Sequence, residues 1–68
     1  MSKADKMFEE LGYTYHAEQL GYENWDNSLF DYVIFKENWA DLGDKVLYST
    51  ALHLAIHEKM KELGWLNE

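Results

Sequence analysis

The chain has 68 residues, with thirteen Asp and Glu against six Lys, no Arg and a net charge of −7. Its length allows one small domain with a marginal core, and the absence of cysteine excludes disulfides and thiolate metal sites. Six scattered lysines provide no basic footprint for direct nucleic-acid or anionic-membrane binding, and no apolar run approaches the length of a bilayer span.

The first predicted element is an amphipathic helix over residues 3–11. Ala4, Met7, Phe8 and Leu11 recur at i, i+3, i+4 and i+7, and Ser2 with Asp5 makes a capping-box start. "YTYH" at 13–16 is rich in strand formers. "AEQLGYENWDNS" then reads as a connection, on its Gly, Asn and Asp content. "LFDYVIFKE" at 29–37 is the second predicted strand; a helix over 28–42 ended at Gly43 is the alternative, disfavoured by the β-branched and aromatic density of "DYVIF". "NWADLGD" reads as a turn able to close a hairpin, and "KVLYS" at 45–49 as the third strand. A second helix over 51–63 follows, capped by Ser49 or Thr50, with Leu52, Ala55, Ile56, Met60 and Leu63 as its stripe and Leu54 off it. The fold predicted is α+β: one domain of order α-β-β-β-α, an antiparallel three-stranded sheet with both helices on one face.

"EELGY" at 9–13 and "KELGW" at 61–65 look like a repeat. The stretches between the glycines do not match, so duplication is disfavoured. Helix termination explains both: glycine at C′ takes a left-handed conformation, and the aromatic after it packs back on the last turn.

The catalytic inventory is thin. No nucleophile elbow or phosphate loop is present, and a domain this small has little room for a substrate cleft. A non-enzymatic protein without cofactor is expected. His53 and His57, at i, i+4, are the best metal-ligand pair and the basis for a minor alternative, a small metal-dependent enzyme; two boundary histidines are the preferred reading.

The acids concentrate in the middle: residues 13–50 carry seven acids and two lysines. Tyr22, Glu23, Trp25 and Asp26 in one connection, and Trp39 and Asp41 in the next, interleave aromatic and acidic side chains as protein interfaces do. A small core without disulfides favours both tryptophans folding inward; as interface anchors they would instead stand exposed.

"ADKMFEELGY" and the closing "KELGW" resemble short proteins encoded by phages and prophages of Gram-positive bacteria. The shared positions are Ala4, Asp5, Met7, Phe8, Leu11, Gly12 and Tyr13, then Glu62, Leu63, Gly64 and Trp65; they cover the two helices, under half the chain, and are packing and capping residues. The resemblance implies an accessory-gene product with the same element order and brings no catalytic residue. The expected function is binding of a host or phage protein in the cytoplasm through the acidic, aromatic middle. The alternatives are mimicry of a nucleic acid toward a DNA- or RNA-binding protein, and self-assembly as a structural homo-oligomer.

Overall fold

The computed structural model describes residues 2–26, 29–43 and 48–66, with the backbone alone for Asp26, Leu29 and Phe30. Helix α1 (Lys3–Glu10) is followed by strand β1 (Thr14–His16), a 3-10 turn (Ala17–Gln19), β2 (Gly21–Asp26), β3 (Leu29–Lys36), β4 (Trp39–Asp41) and helix α2 (Thr50–Glu62). The strands form one antiparallel meander in the order β1-β2-β3-β4.

The α+β class holds, but among the described residues the sheet has four strands rather than three. β2 runs through "GYENWD", read above as a connection. Its Glu, Asn and Asp have poor strand propensity, and its conformation is set by pairing on both sides, with β1 and with β3. β4 is only three residues long, too short for its periodicity to register. The β3–β4 hairpin turns at Glu37 and Asn38, between the paired residues Lys36 and Trp39, and both have positive φ as a type I′ loop requires. Only the first residue of "NWADLGD", Asn38, belongs to that turn, and the next three are β4. Of the third predicted strand, residues 45–47 lie outside the described residues, while Tyr48 and Ser49 are not in a strand. Residues 29–36 are strand and not helix: Val33 and Phe35 are buried, and the residue between them less so, the period of two.

One face of the sheet and both helices make the core. Tyr22 pairs with Val33, and Phe35 follows two residues on, so all three point to the same side. Phe8 of α1 stacks on Tyr22 with centroids 3.9 Å apart, and Leu52, Ala55 and Ile56 of α2 join the same cluster.

The capping box is formed. Ser2 Oγ accepts the Asp5 N–H at 3.1 Å, and Asp5 Oδ2 accepts the Ser2 N–H at 3.3 Å. Ser49 caps α2 by accepting the Leu52 N–H at 3.0 Å. Both helices end in the same motif. Tyr13 N–H donates to Phe8 O and Gly12 N–H to Glu9 O; Trp65 N–H donates to Met60 O and Gly64 N–H to Lys61 O. These are the two bonds of a Schellman cap, with Gly12 at φ 94° and Gly64 at φ 76°. Tyr13 then meets the edge of Phe8 at 5.6 Å, while Trp65 reaches across to Phe35 at 6.2 Å. Alanine at either glycine is expected to lower stability by about 1 kcal/mol. Equilibrium unfolding of Gly64→Ala, where an added Cβ meets nothing within 4 Å, isolates the backbone contribution. An unchanged midpoint there would refute the cap.

A polar cluster sits where α1, α2 and the first two strands meet. Lys59 is 5% exposed, a charged residue at a position four from Ala55 and three from Ile56 on the apolar stripe of α2. Its Nζ lies 3.4 Å from Glu62 Oε1 and 3.9 Å from Asp5 Oδ1, and 5.0 and 5.7 Å from the ring centroids of Tyr15 and Tyr22. Tyr22 Oη donates to Asp5 Oδ1 at 2.5 Å. Burial pushes the Asp5 carboxyl up. The Tyr22 hydroxyl, the Ser2 amide and hydroxyl and the Lys59 charge outweigh it, leaving Asp5 below the usual carboxylate value. Burial, then the Asp5 bond and charge, drives the Tyr22 phenol well above its ordinary value.

The two shifts act at opposite ends of the pH scale. Below about pH 4 the unfolded chain takes up a proton at Asp5 more readily than the folded one, so stability falls with falling pH through the folded pKa. Above about pH 10 the unfolded Tyr22 ionises while the folded one does not, so stability falls with rising pH. Tyr22→Phe is expected to cost about 1.5 kcal/mol at neutral pH and to flatten both declines. Urea unfolding across pH checks this; a variant with the parent's alkaline slope would show that Tyr22 is not its source.

Candidate functional site

The helices cover one face of the sheet, and the other carries the candidate site. Side chains alternate across a strand. With Tyr22 facing the helices, Glu23 and Trp25 share the opposite face with Tyr32, which pairs with Glu23. Ala40 pairs with the core residue Phe35, so Trp39 and Asp41 on either side of it also point to the open face. Trp25 is 69% exposed and Trp39 58%. Neither folds into the core, so the inward packing favoured on grounds of burial is not what the chain does. The core instead draws its aromatic mass from Phe8, Tyr13, Tyr22 and Phe35.

Four of the six predicted interface residues thus share one surface: Glu23, Trp25, Trp39 and Asp41. Tyr22 does not. It is 1% exposed and stacked on Phe8, so its place among interface residues is corrected: it is a core residue, one position out of phase with its neighbours. Asp26 ends β2, paired with Leu29. The surface also has an arrangement that reading by loops does not anticipate. Trp25 stands opposite Phe30 and Trp39 opposite Lys36, six residues apart along β3, which separates the two tryptophans by roughly 20 Å. They bracket the face and do not touch.

Between them lie Tyr32 and Ile34, half-buried. Tyr32 is covered at its hydroxyl end by the chain at Gly43, where an added Cβ would come within 2.7 Å of the ring. Asp41 Oδ1 accepts the Gly43 N–H at 2.9 Å, which holds that loop against the ring. Thr14, His16 and Tyr32 belong to this surface and were not singled out above. The two-residue spacings Thr14/His16, Glu23/Trp25 and Trp39/Asp41 are the signal that finds the face once all three segments are read as strands.

On the open face the acids Glu23 and Asp41 stand with one lysine, Lys36, which pairs with Trp39; the stretch from Thr14 to Asp41 as a whole holds six acids and that single lysine. His16 sits at the strand edge, with Nε2 3.6 Å from Glu23 Oε1 and Nδ1 4.0 Å from Glu18 Oε1. The two carboxylates lie off opposite edges of the ring and do not converge on a common point. His53 and His57 are exposed on α2, and His53 Nδ1 lies 3.3 Å from the Tyr48 hydroxyl. No group of three or more His, Cys, Asp or Glu among the described residues is placed to hold a metal. Among those residues, too, no helix is long and apolar enough to cross a membrane. Leu54, predicted off the apolar stripe, is exposed and borders a shallow groove of about 160 Å³ with Met7, Leu11 and Ala51 between the helices.

The fold and the surface define a small α+β domain presenting an open sheet face bracketed by exposed tryptophans. No family model matches the chain, and neither a curated protein nor a solved structure does.

Proposed function

We propose that this is a non-enzymatic binding protein, a phage or prophage accessory product acting in the cytoplasm, that engages a host or phage protein through the open face of its sheet. One observation carries the reading: among the described residues the two most exposed aromatic side chains, Trp25 and Trp39, stand on the sheet face opposite the two helices. Large aromatics left in water at that density are the usual anchors of protein interfaces, and a chain short of core material gains nothing from exposing them. Glu23 and Asp41 supply charge beside them.

The test is truncation of each tryptophan. Trp25→Ala and Trp39→Ala are expected to fold with midpoints within about 0.5 kcal/mol of the parent, as surface substitutions do, and each to lose about tenfold or more in affinity for the partner captured from the native host. Variants that unfold would return both residues to a structural role. Full capture by both would end the reading.

The concentration of acids in the strands favours one second reading, mimicry of a nucleic acid toward a DNA- or RNA-binding protein. Mimicry by exposed charge is screened by salt. Partner binding that collapses between low and high salt, and competition by nucleic acid, would support it; salt-resistant binding dependent on both tryptophans supports the first.

A further inference from the structure

The outer edge of β1 lies between two grooves. On the open face, Gly12, Thr14, His16, Glu23, Asn24 and Trp25 line one of about 380 Å³. On the helix side, Asp5, Glu9, Tyr13, Thr14 and Tyr15 line another of about 340 Å³. Thr14 borders both, so the strand itself divides them. β1 pairs only with β2 among the described residues, and Thr14 and Tyr15 are exposed. An edge strand in that state offers alternate N–H and C=O groups to another chain.

We infer that β1 accepts an extended, basic segment of a partner protein as a fifth strand, with successive side chains entering the two grooves in turn. The inference rests on the protein-binding reading above and names the chemistry of the partner. Strand addition draws its affinity from main-chain hydrogen bonds and its selectivity from pockets that take alternate side chains, and here one pocket lies on each face of the edge. Each groove joins carboxylate to aromatic ring: Glu23 with Trp25 on one side, Asp5 and Glu9 with Tyr13 and Tyr15 on the other. That pairing suits an arginine or lysine side chain, whose charge meets the carboxylate and whose stem or guanidinium lies on the ring. The same chemistry already operates inside the protein, where Lys59 sits over Tyr15 and Tyr22 beside Asp5 and Glu62. A second copy fits badly: pairing β1 with its own equivalent would set Glu9 and Glu23 against like charges.

The probe is a fluorescein-labelled heptapeptide with two adjacent central arginines flanked by valine and threonine, so that the arginines face opposite grooves. Two controls replace the arginines by glutamate, or the flanking valines by proline. Fluorescence anisotropy with the full chain is expected to show binding of the arginine peptide alone. Proline should cost about tenfold or more, because it removes ladder donors without changing charge. Glu9→Gln and Glu23→Gln should each weaken binding roughly threefold to fivefold, and hydrogen exchange should slow at residues 14–16. Equal binding of the proline peptide would overturn the inference, leaving only diffuse charge attraction, as would no binding of the arginine peptide. A dimer in sedimentation that Glu9→Lys strengthens would overturn it in favour of a second copy. If the peptide fails while Trp25→Ala and Trp39→Ala still abolish capture of the native partner, the edge proposal falls and the open-face reading stands. If the peptide binds, with Trp25→Ala weakening it, and Trp39→Ala still captures the native partner normally, the edge proposal stands and the open-face reading falls.

Discussion

Phe8→Ala is expected to bring the domain to the edge of unfolding at room temperature. Phe8 is fully buried, stacked on Tyr22 and edge-on to Tyr13 and Phe35, with centroids at 5.6 and 6.2 Å for the latter two. It is the only ring of α1 and the point where that helix meets the sheet. Truncating a buried phenylalanine costs about 3–5 kcal/mol. A chain of this length has a total stability of roughly 3–10 kcal/mol, so the loss is comparable with everything that holds it folded. An eight-residue helix has no stability of its own, and once Phe8 is gone α1 has only Ala4 fully buried and Met7 and Leu11 partly so. Urea unfolding followed by circular dichroism reads the effect. Phe8→Leu, which keeps most of the volume, should lose about 1–1.5 kcal/mol. A loss below that from Phe8→Ala would mean the aromatic stack is not the centre of the core.

Lys59→Met tests the other half of the core. The substitution keeps the length and apolar stem of the side chain and removes only its charge. Asp5, partly buried, and the more exposed Glu62 are then both left without the cation they contact. Breaking a buried ion pair from one side costs about 3–5 kcal/mol. With both carboxylates retaining some contact with water, the lower end, about 3 kcal/mol, is expected. Neutralising the acids as well separates charge from packing. In Lys59→Met with Asp5→Asn and Glu62→Gln, the single amide oxygen at position 5 keeps the bond from Tyr22 Oη and gives up that from Ser2 N–H, while the Ala4 N–H, which donates to Glu62 Oε2 at 3.4 Å, keeps its acceptor. Most of the loss should return. If the triple variant is no better than the single, Lys59 acts through its packing against Tyr15 and Tyr22 and not through its charge.

These two residues also mark how far local pattern reaches. Phe8 was legible: its place at i+4 from Ala4 puts it on the apolar stripe of α1. Lys59 was not, because a lysine in the stripe region of α2 reads as solvated, and only the convergence of Asp5 from α1 and the tyrosines from β1 and β2 gives it a reason to be buried. The same division runs through the site. Trp25 and Trp39 could be named as candidates from composition. Whether they lay in the core or in water depended on strand phase, and phase was unreadable while "GYENWD" passed for a loop. One residue decides the point: Tyr22 and Trp25 are three apart, so in a strand they must face opposite ways, one into the core and one out of it.

Helix starts and stops depend on contacts within a few residues, so the Ser2 and Ser49 caps, the paired glycine stops, the stripe of α1 and the strand at 29–36 were determined by the sequence by itself. The tertiary structure alone decided that polar residues 21–26 and 39–41 become strands, that Tyr22 is core and the tryptophans are not, and that a lysine is buried among tyrosines. Each of those outcomes depends on partners far away in the chain, whose pairing and burial outweigh a weak local propensity.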